Sequence, residues 1–365
     1  NTALGADALK NTTTASNNVA VGKDALQLNT TGTSNVAVGA NALDANTTAD
    51  NNTAIGKSAL SANTTGSENV AVGGNAINSN TTGTSNTAVG YNALLSATTG
   101  NVNAAFGRET LTDNTTGSQN TAFGTQSLQD NTTADNNTAC GFRALRLNTT
   151  GTQNTAVGAE ALDANTTGNQ NSALGLSALG SCTTGADNTA VGRRALYSIK
   201  AGAYNIAIGS FAMANYKGDD SNNAGNKNIA IGSSAMEAFQ GGGGDVHSNT
   251  RFDRNIALGY NSFRGADFNN AEKVVTDNIA IGDEALNSTG ANGQVGTIAI
   301  GSNALTALTD GTANTAIGYQ AGKLMTNNSN NVIIGYQAFD SANAGESNNV
   351  IIGQAAGGAI DDANS

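Results

Sequence analysis

The chain has 365 residues, a mass of 36.2 kDa and a formal net charge of −11. This acidic balance argues against a nucleic-acid partner, which requires a basic surface, and the absence of any run of 18 apolar residues argues against membrane insertion. The chain contains 46 glycines but no proline and no Trp, which argues against an ordinary globular core. Two cysteines and one histidine leave little for disulfides, metal sites or imidazole chemistry. We therefore expect no cofactor, no metal and no enzymatic activity.

A 17-residue repeat organises the sequence. It opens with the pattern Asn-Thr/Val/Ile-Ala-Val/Ile/Leu-Gly at Asn1 and again at every seventeenth residue up to Asn205. Later repeats begin at less regular intervals, at Asn228, Asn255, Asn278, Thr297, Asn314, Asn331 and Asn349. Twenty copies of one short unit are typical of a solenoid, in which each unit buries its apolar side chains against its neighbours.

Each repeat carries backbone signals in a fixed order. Its first residues alternate around a central Ala, which predicts a short strand. The fifth residue is always glycine, which predicts a corner with positive φ or a close backbone approach. Examples of this corner glycine are Gly5, Gly22, Gly39, Gly56, Gly158 and Gly353. A small and then a large residue, such as Ala25 and Leu26, predict a second strand, and the Asn-Thr-Thr-Gly that follows has the composition of a turn.

Two strands and two turns in 17 residues leave no room for a helix. We predict an all-β fold, a parallel β-solenoid of about 20 coils in which equivalent strands pair in register. Because every interior N–H would join a hydrogen-bonded ladder, such a fold would exclude proline. At about 4.8 Å per coil, the coils would form a rod about 95 Å long. Repeat spacing divides it into regular coils over 1–209, coils with inserted loops over 210–296 and regular coils over 297–365.

The predicted strand is apolar on both faces. Its third residue is Ala in 18 repeats and Ile in two (Ile333 and Ile351), and the flanking second and fourth residues are mostly Thr, Val, Ile or Leu. A strand apolar on both faces is normally covered on both. We favour an arrangement in which the larger residues fill the coil and Ala faces a symmetry-related copy of the chain. The alternative is that Ala lines a narrow interior.

Several repeats resemble those of a known family. NVAVGKDAL at 18–26, NTAIGKSAL at 52–60 and NIAIGDEAL at 278–286 resemble head repeats of YadA-like trimeric autotransporter adhesins, and the NTTG-spaced form is similar to repeats of bacteriophage tail fibres. The resemblance covers essentially the whole chain, although the 17-residue coil is longer than the usual adhesin coil. It implies a left-handed β-roll in an intertwined or side-by-side homotrimer. It also implies an extracellular location, on a virion tail fibre or a bacterial surface, and a function in attachment.

The longer intervals between repeats contain aromatic and charged residues that the regular coils lack. Such residues on loops suit recognition of a cell-surface glycan or protein. The candidate receptor contacts are Tyr216, Lys217, Asp219, His247, Arg251, Phe252, Arg254, Phe268 and Lys273. The alternative is that these loops are merely tolerated or pack over a neighbouring subunit.

Isolated acidic residues and the histidine have simpler interpretations than catalysis. His247 lies in a glycine-rich segment without a partner at a recognisable spacing, and we expect it to be solvated. Asp24, Asp44 and Asp163 fall on the variable side of the coil or in its turn. We interpret them as solvating charges and not as the converging acid/base pair that hydrolysis requires.

Cysteine and asparagine positions also follow the repeat. Cys140 takes a Val/Ile position, which predicts a small buried hydrophobe, and Cys182 replaces the turn asparagine. These positions make a disulfide between the two cysteines improbable. The recurring asparagines predict stacked, hydrogen-bonded side-chain ladders.

Two rival functions share the predicted fold. The first is an extracellular structural filament that assembles end to end through its terminal strands. The second is an ice-binding array built from the threonine pairs, such as Thr30 and Thr31 or Thr47 and Thr48. An ice-binding array requires a flat strand, whereas Gly32 and Gly66 mark these threonines as part of a turn.

Overall fold

The computed structural model describes residues 1–215, 225–237, 251–265, 274–288, 293–340 and 347–357. The described residues form strands, turns and bends, and no helix occurs among them. The chain consists of two compact units, Asn1–Gln170 (unit 1) and Asn171–Ser365 (unit 2). This boundary lies within the region predicted as regular coils over 1–209, so a change in repeat spacing does not mark it.

Unit 1 contains one three-residue strand per repeat. The strands are β1 (Thr2–Leu4), β2 (Val19–Val21), β3 (Val36–Val38), β4 (Thr53–Ile55), β5 (Val70–Val72), β6 (Thr87–Val89), β7 (Ala104–Phe106), β8 (Thr121–Phe123), β9 (Thr138–Cys140) and β10 (Thr155–Val157). Neighbouring strands pair in parallel and in register, so that Val36 lies beside Thr53 and Ala37 beside Ala54. The predicted all-β parallel solenoid is confirmed.

Unit 2 has the same arrangement in its main sheet. Those strands are β11 (Ser172–Leu174), β12 (Thr189–Val191), β13 (Ile206–Ile208), β14 (Ile229–Ile231), β16 (Ile256–Leu258), β18 (Ile279–Ile281), β20 (Ile298–Ile300), β21 (Thr315–Ile317), β22 (Val332–Ile334) and β23 (Val350–Ile352). A second parallel sheet joins β15 (Arg251–Asp253), β17 (Val274–Thr276) and β19 (Gln294–Val295). This second sheet is not predicted from the repeat pattern.

The corner glycines have both predicted properties. Gly22 has a φ of +133°, and a Cβ added to it would lie 2.6 Å from the carbonyl carbon of Gly39 in the next coil. Positive φ recurs at Gly5, Gly39, Gly56, Gly158 and Gly353. A side chain at this corner would therefore strain its own backbone, and at Gly22 it would also collide with the backbone of the adjacent coil.

The segment after the corner is a turn, and the prediction of a second strand there is wrong. Asp24 and Leu26 have φ values of 61° and 51°, and the same alternation recurs along the repeats. The N–H of Leu26 donates to the carbonyl of Ala42 in the next coil (3.0 Å), whereas the N–H of Ala25 bonds back to Gly22 (3.4 Å). Along this segment, backbone N–H groups therefore alternate between hydrogen bonds to a neighbouring coil and hydrogen bonds within the turn. A left-handed leucine has no propensity signal that a sequence pattern could reveal.

The third residue of the strand faces the interior. Ala20, Ala37 and their equivalents in β2–β10 are fully buried, while the second and fourth residues are half-buried or exposed. The ninth residue of the repeat, such as Leu26, fills most of the remaining interior. The expectation of large residues inside and Ala outside is therefore wrong, and the narrow, Ala-lined interior is correct. With leucine and asparagine already in the coil, little more than a methyl group fits beside them.

Two columns of buried asparagines run through unit 1. In the first column, the N–H of Asn35 donates to Oδ1 of Asn18 (2.8 Å), and Nδ2 of Asn35 donates to the carbonyl of Ala49 (2.8 Å). In the second column, Nδ2 of Asn46 donates to Oδ1 of Asn29 (2.9 Å) and to the same Ala49 carbonyl (3.1 Å). The predicted asparagine ladders are confirmed. They supply the partners that buried amide and carbonyl groups require.

The second column is interrupted at Ala97. Oδ1 of Asn80 is buried without a hydrogen-bond partner, because Ala97 stands where the next coil would offer an amide. On the other side of Ala97, Nδ2 of Asn114 donates only to the carbonyl of Gly117 (3.0 Å). A single missing side chain thus leaves both neighbouring asparagines with incomplete bonding.

Replacing a corner glycine will destabilise unit 1. We expect Gly22→Ala to lower the free energy of unfolding by at least about 2 kcal/mol, because the new Cβ meets backbone and imposes an unfavourable φ. Gly74→Ala is the matched control, since Gly74 does not have a positive φ and its added Cβ lies 3.5 Å from the Tyr91 ring. The control should change the value by less than about 1 kcal/mol. Urea denaturation monitored by circular dichroism measures the free energy of unfolding of both variants. Equal losses in Gly22→Ala and Gly74→Ala would contradict the corner geometry.

Completing the interrupted ladder will stabilise unit 1. Ala97→Asn supplies an amide to Asn80 and an acceptor to Asn114, so we expect the free energy of unfolding to rise by about 1–2 kcal/mol. The reverse change, Asn63→Ala, removes a bond to Asn46 (3.1 Å) and should lower it by about 1–3 kcal/mol. Denaturation midpoints of both variants test the ladder. A stabilised Asn63→Ala, or a destabilised Ala97→Asn, would count against it.

Candidate functional site

The second and fourth residues of the main-sheet strands form a surface that we call the outer strand face. In unit 1 it consists of Thr2, Leu4, Val19, Val21, Val36, Val38, Thr53, Ile55, Val70, Val72, Thr87, Val89, Ala104, Phe106, Thr121, Phe123, Thr138, Cys140, Thr155 and Val157. In unit 2 it consists of Ser172, Leu174, Thr189, Val191, Ile206, Ile208, Ile229, Ile231, Ile256, Leu258, Ile279, Ile281, Ile298, Ile300, Thr315, Ile317, Val332, Ile334, Val350 and Ile352.

The outer strand face carries no charged residue in either unit; its fourth residues are apolar throughout, whereas its second residues mix apolar side chains with Thr and Ser. Its large side chains are accessible, with Ile55 41% and Phe123 57% exposed in unit 1 and Leu174 50% exposed in unit 2. In-register pairing aligns like side chains, and the rings of Phe106 and Phe123 stack with centroids 5.4 Å apart. Contiguous apolar patches of this kind mark interaction sites.

Cys140 belongs to the outer strand face and is exposed, so the prediction of a buried cysteine is wrong. The error has the same origin as the reversed alanine, because Cys140 occupies the fourth position of its repeat. Cys182, by contrast, is fully buried in the position of a turn asparagine, and its thiol lies 3.9 Å from the carbonyl of Gly185. Burial raises the pKa of Cys182 to about 12, which keeps its thiol protonated at neutral pH. Both cysteines are free thiols.

Most of the predicted receptor contacts lie outside the described residues. These are Tyr216, Lys217, Asp219, His247, Phe268 and Lys273. Arg251 begins β15, and its side chain is likewise outside the described part of the structure. The prediction that these residues contact a receptor stays a prediction.

The two remaining candidates have internal partners. Phe252 is buried and stacks on Phe263 with ring centroids 6.2 Å apart, so it cannot present its ring to a receptor. It occupies the position that Gly32 has in a regular coil. Its carbonyl accepts a hydrogen bond from Nδ2 of Asn228, as the carbonyl of Gly32 does from Nδ2 of Asn18. Arg254 remains accessible and pairs with Asp277 through two hydrogen bonds of 2.6 and 2.8 Å. That pairing raises the pKa of Arg254.

The second sheet explains why Phe252 is buried. Phe252 and Val275 are the central residues of β15 and β17, they pair in register, and both are buried. The longer intervals between repeats in unit 2 therefore contribute interior side chains. A large residue between two polar ones at 251–253 and the β-branched residues at 274–276 are weak signals of these strands, and their irregular spacing obscures them.

Asp24, Asp44 and Asp163, which we interpreted as solvating charges, differ in their surroundings. Asp24 pairs with Lys23 (2.9 Å), and Asp163 pairs with Arg146 (2.8 Å). Asp44 is half-buried, and its Oδ1 has no hydrogen-bond partner among the described residues. Burial raises the pKa of Asp44, so its charge is less favourable in the folded coil than in water. Asp44 is therefore not the fully solvated charge that we expected from the sequence.

The threonine pairs lie in bends and not in strands, as Gly32 and Gly66 predict. The hydroxyl of Thr30 donates to the carbonyl of Thr47 in the next coil (2.9 Å), and the same bond recurs between Thr47 and Thr64 (3.1 Å). The second threonine of each pair, such as Thr31, is exposed. The first hydroxyl therefore stabilises the stack of coils, whereas only the second is fully accessible.

The described segments contain no group of three or more His, Cys, Asp or Glu side chains that could hold a metal ion. In those same segments no helix is long and apolar enough to cross a membrane. No family model matches the chain, and a comparison with curated proteins gave no match. The fold and its surfaces therefore carry the functional argument.

Proposed function

We propose that this chain is a non-catalytic structural segment of a homotrimeric attachment fibre, located outside the cell on a bacteriophage tail or a bacterial surface. The observation that carries the proposal is the uncharged, apolar outer strand face. The side chains on this face recur at every coil, and a molecule with a net charge of −11 places none of its charges there.

The size of the outer strand face supports burial against another chain. Ten strands at about 4.8 Å spacing and about 10 Å of strand length give each unit a face of about 480 Å². Each of these faces is smaller than the roughly 800 Å² per partner that a standard stable interface buries, so a stable assembly would use the faces of both units. Transfer of this surface out of water would favour association by the hydrophobic effect.

A second and third copy of the same chain are the partners that best fit this face. Its side chains are spaced by the coil repeat, and an identical chain has the same spacing, so ridges and grooves can match along the whole length. Closed symmetry also limits such an assembly to a fixed number of copies. The number three comes from the resemblance to trimeric adhesin and tail-fibre repeats.

Attachment follows from the same assembly. A trimer presents each surface loop three times, and multivalency converts weak individual contacts into firm attachment. The predicted contacts between 213 and 296, including accessible Arg254, would serve this purpose. The repeated positions of the coil hold Asn, Ala, Leu, Gly and Thr, which suit a stack of coils more than a reaction centre.

Charges placed on the outer strand face will dissociate the trimer. We expect the unmodified protein to sediment with three times the 36.2 kDa chain mass, and the double variant Ile55→Lys/Val89→Lys to sediment as a single chain. Burying an unpaired ammonium group costs several kcal/mol. The matched control is Thr65→Lys/Thr99→Lys, which adds the same charges at the same spacing on exposed turn residues.

Analytical ultracentrifugation distinguishes these outcomes, with circular dichroism to confirm that each variant is folded. A single-chain mass for the unmodified protein would refute the trimer. Equal dissociation of both double variants would show that the outer strand face is not the interface.

A further inference from the structure

Unit 2 contains two adjacent arginines whose side chains lie on aromatic rings. Arg193 and Arg194 follow the corner glycine of the repeat that begins at Asn188, and both are exposed. The guanidinium of Arg193 lies 4.4 Å from the centroid of the Phe211 ring. That of Arg194 lies 4.2 Å from the Tyr197 ring and 6.0 Å from the Phe211 ring. The rings hold both cations in place on the surface.

Neither of these guanidinium groups has an ion pair or a side-chain hydrogen bond within the described residues. Other arginines of the chain differ in this respect, since Arg108 pairs with Glu109 (2.7 Å) and Arg146 pairs with Asp163 (2.8 Å). Stacking on a ring uses the flat surface of a guanidinium and leaves its N–H edge free. The N–H groups of two adjacent, exposed arginines are thus available to a ligand.

The positions equivalent to the two arginines in the adjacent coils carry no charge. The same positions hold Leu176 and Ser177 in the preceding coil and Ser210 and Phe211 in the following coil. Backbone hydrogen bonds fix this neighbourhood, because the N–H of Arg194 donates to Leu176 (2.9 Å) and that of Phe211 donates to Arg193 (2.9 Å). Leu176 is 49% exposed. The surface therefore combines two free cations, an apolar side chain and small hydroxyls.

We propose that Arg193 and Arg194 bind the carboxylate of an acidic sugar at the end of a surface glycan. The fork of N–H groups on an arginine matches the two oxygens of a carboxylate. The serine hydroxyls and Leu176 then provide hydrogen bonds to sugar hydroxyls and a contact for the apolar side of the sugar ring. This inference rests on the proposed attachment function and names the ligand class that one of its surfaces takes.

The charge of the whole chain selects among anionic ligands. A net charge of −11 repels a densely charged polymer such as nucleic acid, which needs many cations along its phosphates. Two arginines whose equivalents in the adjacent coils are uncharged suit a ligand that carries one isolated negative charge. A glycan that ends in a single acidic sugar meets that requirement.

Isothermal titration with sialyllactose and with a glucuronate-terminated disaccharide tests the proposal, with lactose as the uncharged counterpart. We expect at least one acidic probe to bind and lactose to bind at least about 10-fold more weakly. The variant Arg193→Gln/Arg194→Gln should lose about 10-fold or more of the affinity for the acidic probe, since it removes hydrogen bonds between charged groups, which are stronger than neutral ones. Arg193→Lys/Arg194→Lys should lose less, because it keeps the charge.

The matched control is Arg143→Gln, which removes an arginine that also lies over a ring (Phe142, 4.8 Å) but already bonds to Gln126 (3.1 Å). It should bind the acidic probes as the unmodified protein does. The proposal is overturned if neither acidic probe binds, if the glutamine variant binds equally well, or if acetate or an acidic peptide binds as tightly as the sugars. Because the sedimenting mass is measured separately, a trimer without sugar binding would refute this site alone, whereas a single-chain mass would refute the proposed fibre.

Discussion

The close approach of one coil's backbone to the next at the corner glycines is the constraint on which the rest of the structure depends. At Gly22 the adjacent coil leaves no space for a Cβ, and the backbone takes a φ that other residues avoid. Because this contact recurs at equivalent positions, a strand cannot shift by one residue without placing a side chain against backbone. The corner therefore fixes the register, and the register in turn aligns every other position of the repeat with its equivalent.

Alignment of equivalent residues explains the composition of the interior. A coil of 17 residues encloses so little volume that alanine, leucine and two asparagines fill it. Each asparagine is buried beside its equivalent, so that an amide in one coil meets an oxygen in the next. The interruption at Ala97 shows the dependence directly, since one missing amide leaves Oδ1 of Asn80 without a partner.

Much of this fold could be predicted from the sequence, because twenty copies of one pattern repeat the same information. The strand, its parallel register, the corner glycine and the asparagine ladder all follow from the repeat. Which face of the strand is buried could not be predicted, because both faces contain apolar residues and alternation alone does not say which one points inward. For that reason Ala37 and Cys140 were assigned to the wrong sides. The turn at Leu26 was missed because leucine rarely adopts positive φ, and the sheet that contains Phe252 was missed because its spacing is irregular.

The surfaces depend on the register as well. Side chains that face outward from the strands form a continuous apolar face in each unit, and Arg193 meets Phe211 because the two residues lie in adjacent coils. Such contacts join residues 18 positions apart, and only the register reveals them. The functional proposals therefore stand on the same constraint as the fold.

A direct test of the register is disulfide formation between cysteines placed on the outer strand face in unit 1. In a chain with Cys140 and Cys182 replaced by serine, the pair Val36→Cys and Thr53→Cys should form an intrachain disulfide on mild oxidation. These residues are direct partners in adjacent parallel strands, about 4.8 Å apart, within the range that a disulfide spans. Val36→Cys with Val70→Cys, two coils apart, should not form one, as peptide mapping by mass spectrometry would show. An efficient intrachain bond in the second pair, or none in the first, would contradict the stacked, in-register coil.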